Sequence, residues 1–281
     1  MGDPVQDRII EGEFRTPHNG FQQAPGSIHN DAVASKLGFK GGTVPGSVHM
    51  DQFAPMLMEA YGADWFARGS LSLHFTQATV DREPVKAVMA VGGQRSRLTM
   101  FNREGDQVCV GTASGETRDP ESEMAQRMAA QSQAAPGTLR ILAGYAIGDV
   151  NTDIPMRIER DALEKSLGRI TERLPIYDEG VLPPSHLVRL AHISRPTVLA
   201  KVNQSVGLFG ALEIRIADGP LRAGHDYVGR TTMLKLTESP RTENAWYDVD
   251  IADAATGRDV ATVTFMIRFM KASSPLWARD A

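Results

Sequence analysis

The chain contains two blocks in which apolar and polar residues follow the same order of patterns. In the first block, apolar residues recur at helical spacing from about 47 to 61, which predicts one long helix with an apolar face. A shorter helix is expected at 28–37, after a strand at 9–14 and a long loop at 17–27. Four strands rich in β-branched or aromatic residues are expected after the long helix, at 71–77, 85–91, 97–102 and 107–112.

The second block repeats this order, with helices predicted at 161–167 and 185–201. Its strands are predicted at 212–216, 231–236, 246–251 and 260–269. The residues that open the long helix also repeat: Val44-Pro45-Gly46-Ser47 in the first block corresponds to Leu182-Pro183-Pro184-Ser185 in the second. Independent segments rarely share both the order of elements and the turn chemistry, so the pattern predicts an internal duplication.

The apolar face of each long helix must be covered, so we expect an α+β fold in which two antiparallel sheets each wrap a long central helix. Edge-to-edge pairing of the two sheets would remove exposed strand edges. A polar stretch at 119–136, ending at Pro136-Gly137, predicts a helix and a turn between the blocks. We therefore predict an N-terminal unit at 1–118 that carries the site, a linker at 119–137 and a degenerate C-terminal unit at 138–281.

Composition excludes several classes of function. The 281 residues are 42% hydrophobic and 23% charged, which indicates a folded core rather than a disordered chain. A net charge of -4 and the lack of a Lys/Arg-rich segment argue against a nucleic-acid partner. No apolar stretch has the length of a signal peptide or a membrane span, so we expect a cytoplasmic protein without a membrane partner. A single cysteine, Cys109, excludes a disulfide within the chain and a cysteine-based zinc site, and no motif for another metal or a cofactor is present.

One segment of the first block resembles a known family. Ser27-Ile28-His29-Asn30-Asp31 is followed by Leu37-Gly38-Phe39, by Gly41-Gly42 and by Val44-Pro45-Gly46. With Leu73-His74-Phe75 and residues 80–85, this run resembles the loop and the central-helix start of MaoC-like hydratases and dehydratases. The resemblance extends over about 20–115 and is weak in the second block. It implies a double hotdog fold and hydro-lyase activity on an acyl-CoA or related thioester, with coenzyme A as part of the substrate.

The resemblance implies that His29 and Asp31 are catalytic, but the family's set of residues is incomplete here. In the family, a loop aspartate and a histidine, with an asparagine between them, hold the water that adds to a trans-2-enoyl thioester. In this chain the aspartate position is Ala24 and the asparagine position is Gly26. Hydration requires one group to take a proton from water and another to protonate the α-carbon. We therefore expect a substitute group, a changed reaction or a loss of catalysis.

Four side chains are candidates for the substitute: His18, Asp31, His49 and Asp51. His18 and His49 are also candidates for contact with the substrate. Each has a structural alternative, because Asp31 could complement the charge of a helix start and His49 and Asp51 could form a solvated or mutually satisfied helical pair. His29 could equally cap or pack against a helix.

The amides of Gly46 and Ser47, at the start of the long helix, are the expected oxyanion donors. A tight turn is the structural alternative for Gly46. The equivalent position in the second block is Pro184, which has no backbone N–H. We therefore expect the second block to be a structural partner or a lid for the acyl chain, with His186 and His192 serving packing or solvation.

Three functions stay open on the sequence alone. The first is a hydratase or dehydratase with an altered acid/base pair, acting on a small-molecule acyl thioester. The second is a thioesterase, in which Asp31 or Asp51 would activate water. The third is a non-catalytic protein that binds an acyl ligand or scaffolds an assembly, which Ala24 and Gly26 favour. A homodimer is a further expectation for the assembly.

Overall fold

A computed structural model describes residues 8–202 and 204–278. It contains ten strands: β1 (Arg8–Glu11), β2 (Ser70–Phe75), β3 (Val85–Val91), β4 (Ser96–Asn102), β5 (Gln107–Ser114), β6 (Val150–Met156), β7 (Gly207–Ile216), β8 (Tyr227–Glu238), β9 (Thr242–Asp253) and β10 (Asp259–Met270). The eight strands predicted after the two long helices are confirmed, most of them as parts of longer strands.

Eight α-helices accompany the strands in the described part of the chain: α1 (Asp31–Lys36), α2 (Gly46–Asp51), α3 (Ala54–Tyr61), α4 (Trp65–Arg68), α5 (Glu123–Ala130), α6 (Arg160–Leu167), α7 (Pro184–His192) and α8 (Arg195–Val198). The helix predicted in the linker is α5, and the short helix predicted in the second block is α6. The helix expected at 28–37 begins later, at Asp31, because Asn30 is its N-cap and accepts hydrogen bonds from the amides of Ala32 and Val33.

All ten strands form one antiparallel sheet in the order β1-β3-β4-β5-β2-β7-β10-β9-β8-β6. The order is symmetric about the β2–β7 pair, since each strand of the first half has its counterpart at the mirrored position in the second. At that junction Ser70 pairs with Arg215 and Leu73 pairs with Leu212. The predicted pairing of edges is confirmed, and it turns the two expected sheets into a single continuous one. The unit boundaries at 118 and 137 stay a prediction.

The two long helices of the prediction are each broken, and proline accounts for both breaks. The first divides into α2 and α3 after Asp51, four residues before Pro55, and the second divides into α7 and α8 after His192, four residues before Pro196. A proline ring clashes with the carbonyl four residues earlier and provides no amide hydrogen. The helix must therefore change direction at the residue where that carbonyl lies.

Most of the core lies between the helices and one face of the sheet, where α2 and α7 contact each other and the central strands β2, β7 and β10. On the other face, α5 covers the β2–β7 junction with a small apolar cluster of Met124, Ala211, Trp246 and Met266. Strand β6 was not predicted. Its residues are mostly exposed, Asp153 has a φ of 58°, and Pro155 is tolerated because the strand lies at the sheet edge.

None of the helices in the described residues is both long and apolar enough to cross a membrane.

Candidate functional site

His29 lies immediately before α1, in the segment that leads to the central helix α2, and its ring is half-buried. Its Nδ1 is 2.7 Å from the backbone carbonyl oxygen of Thr43. A carbonyl oxygen can only accept, so Nδ1 carries the proton and donates it to Thr43. This hydrogen bond leaves Nε2 of the neutral ring with its lone pair, which is the arrangement that a general base requires.

The surroundings of His29 keep the ring neutral. Burial lowers the pKa of His29, and the hydrogen bond to Thr43 opposes that change only in part. The ring of Phe21, which is 54% exposed, lies 5.8 Å from the imidazole at a tilt of 43°. An unprotonated Nε2 beside an aromatic ring can accept a proton from a water molecule or an acidic substrate carbon.

The side chains of Asp31 and His29 form no hydrogen bond with each other; Asp31 Oδ1 accepts the amide of Gly42 at 2.7 Å. The side chain is exposed and lies in the first turn of α1, where a negative charge complements the helix dipole. The same hydrogen bond holds the Gly41–Thr43 segment that anchors His29. Asp31 therefore positions the histidine through the backbone of its neighbours.

Gly42 packs against the backbone of His29 so closely that a side chain could not be added. A Cβ at Gly42 would overlap the His29 carbonyl oxygen, whereas a Cβ at Gly41 would come no nearer than 3.3 Å to Asp31 Oδ1 and 3.5 Å to Val80 Cγ1. Glycine at 42 is required for close approach rather than for an unusual φ.

The two glycines form a matched pair for a test. Gly42→Ala is expected to destabilise the protein by about 1–3 kcal/mol, because the clash is with backbone that must move. It should also displace His29 from Thr43. Gly41→Ala is expected to cost less than about 1 kcal/mol. Urea unfolding of both variants checks this, and equal stabilities would contradict the packing described for Gly42.

Gly46 and Ser47 begin α2, whose N-cap is Pro45 and makes no side-chain capping hydrogen bond. The first amides of a helix have no partner within it, so these two N–H groups are available to an acceptor. Gly46 has a second constraint, because a Cβ there would lie 2.6 Å from Cε2 of Phe75. The glycine therefore serves the packing of Phe75, whatever it offers to a ligand.

His49 and Asp51 lie on α2 and are both 2% exposed. His49 Nε2 is 2.9 Å from Thr79 Oγ1, and burial lowers the pKa of His49 to about 4. Asp51 Oδ1 accepts the amide of Ser185, at the start of α7, at 2.8 Å. The two side chains are neither solvated nor paired with each other. Their partners join α2 to the loop after β2 and to the second half, while His49 Nδ1 is buried without a hydrogen-bond partner.

His18 has a carboxylate partner that the sequence did not reveal. Its Nδ1 is 2.7 Å from Asp81 Oδ1, the same oxygen that accepts the Asn19 amide at 2.7 Å. Asn19 in turn donates its side-chain amide to the His29 carbonyl at 2.8 Å. His18 and His29 therefore belong to one hydrogen-bonded loop region, although Asp81 follows β2 and is far away in sequence.

His192 of α7 is another histidine whose pKa is lowered by its surroundings. Burial, followed by the charges of Arg195 and His29, lowers the pKa of His192 to about 4. Its half-buried ring packs 5.5 Å from Phe209 and 5.9 Å from Phe265. Of the two roles expected for His192, packing or solvation, these contacts support packing.

A cavity of about 580 Å³ lies where the loop before His29 meets the second half. Gly26 forms one wall, and residues 204–206 and 272–275 form most of the other. None of the predicted site residues His29, Gly46 and Ser47 lines this cavity.

Comparison with solved structures finds the same overall fold in other proteins. A protein of Chloroflexus aurantiacus J-10-fl described as a MaoC domain dehydratase superposes with a TM-score of 0.64 and 13% identity, over 95% of this chain and 96% of its own. A Mycobacterium tuberculosis protein with a double hotdog fold, essential for survival during infection, gives a TM-score of 0.62 and 11% identity, over 95% and 97%. The fold is a double hotdog.

A third match is a Lactobacillus plantarum protein described as an oleoyl thioesterase, with a TM-score of 0.51, 12% identity and coverage of 95% and 98%. No family model and no curated protein matches the sequence. The double hotdog fold of this chain is thus shared with MaoC-like dehydratases in spite of low identity, as the residues at 27–46 led us to expect.

Proposed function

We propose that the protein is a MaoC-like hydratase or dehydratase that acts on an acyl-CoA or related thioester, with His29 as the general base. The observation that supports this most directly is the hydrogen bond from His29 Nδ1 to the Thr43 carbonyl. It fixes the tautomer and leaves Nε2 unprotonated in a half-buried setting. Asp31 contributes by holding Gly42 and hence the segment that carries Thr43.

In the hydration direction, His29 Nε2 takes a proton from water as the water oxygen bonds to C3 of a trans-2-enoyl thioester. The electron pair of the C2–C3 double bond moves toward the thioester carbonyl, whose oxygen becomes negative. In this proposal, the free amides of Gly46 and Ser47 at the start of α2 stabilise that oxygen. A proton then bonds to C2, which completes the addition of one water molecule. Dehydration is the same sequence reversed.

Hydrolysis of the thioester is the second candidate, because a protein described as an oleoyl thioesterase has the same fold. Here water would attack the thioester carbonyl carbon and release the free thiol of coenzyme A. The two carboxylates proposed to activate this water, Asp31 and Asp51, both accept backbone amides, and Asp51 is buried. These contacts favour hydration over hydrolysis.

A panel of trans-2-enoyl-CoA thioesters of increasing chain length tests the proposal. We expect loss of the enoyl absorbance without release of thiol, measured in parallel on the same sample. Thiol release at the rate of absorbance loss would assign the protein to the thioesterases. Binding of a saturated acyl-CoA without change in either signal would indicate a non-catalytic ligand-binding protein. The expected homodimer and the cytoplasmic location stay predictions.

A further inference from the structure

The protonation of C2 needs a second proton-transfer group, since Ala24 occupies the position of the family's aspartate. Of the side chains considered for this role, His49 and Asp51 are buried and engaged with Thr79 and Ser185. Asp31 is engaged with the Gly42 amide. The His18 side chain is 37% exposed, and its Nδ1 alone is engaged, with Asp81.

Resting on the proposed function, we propose that His18 is a second catalytic residue, which protonates C2 in hydration, and that Asp81 is the positioning residue that orients its ring. In that step the His18 Nε2–H bond breaks and a C2–H bond forms, while His29 has gained a proton from water. One proton returning from His29 to His18 through solvent restores both rings. One water molecule and one enoyl thioester are consumed, and no other co-reactant is needed.

The geometry of the pair matches that of an oriented imidazole. Asp81 Oδ1 receives His18 Nδ1 and the Asn19 amide, both at 2.7 Å, so the carboxylate is held from two directions. Partial burial of Asp81 favours its neutral form, but the Asn19 amide and the His18 ring outweigh it and lower the pKa of Asp81. The ionised carboxylate fixes Nδ1 as the donor, so His18 directs Nε2 away from Asp81.

The groups that hold His18 and His29 are neighbours at the turn after β2. Thr43, whose carbonyl anchors His29, forms an isolated bridge with Val80, the residue before Asp81. The turn after β2 is also tied to the loop around His18 through the Arg82 amide, which donates to the Pro17 carbonyl at 2.9 Å. Both rings are thus fixed through Nδ1, His29 by a carbonyl and His18 by a carboxylate.

Two further charged residues, Arg82 and Glu83, lie next to the His18–Asp81 pair. Arg82 Nε is 3.9 Å from Asp81 Oδ2, on the opposite side of the carboxylate from His18. Glu83 accepts the Val80 amide at 2.9 Å and thereby closes the turn. Neither takes the place of His18 as a partner of Asp81 Oδ1.

Histidine modification with diethyl pyrocarbonate provides a test that does not depend on turnover. The sites are mapped by mass spectrometry in the absence and presence of butyryl-CoA, a saturated thioester that cannot be hydrated. We expect butyryl-CoA to protect both His18 and His29 from modification. Protection of His29 alone would overturn the role of His18 and leave the proposed function standing. Protection of neither would overturn both.

Kinetics of His18→Asn complete the test, because the asparagine amide can replace Nδ1 as donor to Asp81 while Nε2 is lost. We expect kcat to fall about 10²–10³-fold with KM nearly unchanged, and the pH profile of kcat/KM to lose one of its two ionisations. Asp81→Asn should lower kcat less than His18→Asn does. Asp81→Glu should retain part of the kcat that Asp81→Asn loses, because it keeps a carboxylate. A His18→Asn variant with the kcat and the pH profile of the wild type would refute the proposal.

Discussion

Asp51→Asn is expected to abolish a pH-dependent fall in stability. In the wild type, the free energy of unfolding should fall by about 4 kcal/mol between about pH 4 and pH 8 because of this one group. Burial raises the pKa of Asp51 from 3.8 to about 7, against the hydrogen bonds from the side chain and amide of Ser185. The folded state therefore binds a proton that the unfolded state has already released. The stabilisation that the protonated Asp51 provides is fully present below pH 3.8, the pKa in the unfolded state. It is lost as the pH rises through about 7, the pKa in the folded state.

Asparagine retains the useful contact of Asp51. Its side-chain oxygen can accept the Ser185 amide, which is the first N–H group at the start of α7 because Pro183 and Pro184 have none. Because the asparagine amide is neutral at every pH, the variant never buries a negative charge at this position, which is 2% exposed in the wild type. Urea unfolding at pH 5 and pH 8 measures the difference. The variant should gain stability over the wild type as the pH rises.

Tyr177 provides the control for this prediction. Its hydroxyl is buried without a hydrogen-bond partner, and burial together with the charges of Asp51 and Glu172 raises the pKa of Tyr177. Tyr177→Phe removes an unsatisfied group and should change stability by less than about 1 kcal/mol without altering its pH dependence. Parallel stability curves for the wild type and Asp51→Asn would show that Asp51 is already ionised in the folded protein.

Replacing His29 with alanine is expected to lower kcat/KM for the best enoyl-CoA substrate by about 10²–10⁴-fold, since the variant has no group to take the proton from water. Stability should change little, because the ring is half-buried and makes one polar contact, with Thr43. Stopped absorbance assays under kcat/KM conditions measure the effect, and circular dichroism verifies that the variant is folded.

His225→Ala is a matched control for that variant. His225 pairs with Asp253 at 2.5 Å, and its side chain is 48% exposed in the loop before β8. Its removal should leave turnover unchanged. If His29→Ala and His225→Ala retain the same activity, His29 is not the general base, and binding of acyl-CoA by both would support a ligand-binding function instead.

The sequence alone determined most of the elements and their duplication, because helix and strand periodicity are local properties of the chain. The residues from Ser27 to Gly46 were also sufficient to indicate the fold and the position of His29. Proline positions could have predicted the breaks in both central helices, since the clash with the carbonyl four residues earlier is local as well. Strand β6 escaped prediction because an exposed edge strand has little hydrophobic alternation.

Only the tertiary structure decided which side chains share the site. Asp81 and His18 are 63 residues apart, and Asp51 and Ser185 are 134 apart, so no spacing rule relates them. Likewise, Gly26 lines one cavity with residues 204–206 and 272–275 of the second half, although these segments are far apart in the sequence. Burial of this kind depends on the assembled core, and it is burial that separates the half-buried His29 from the inaccessible His49.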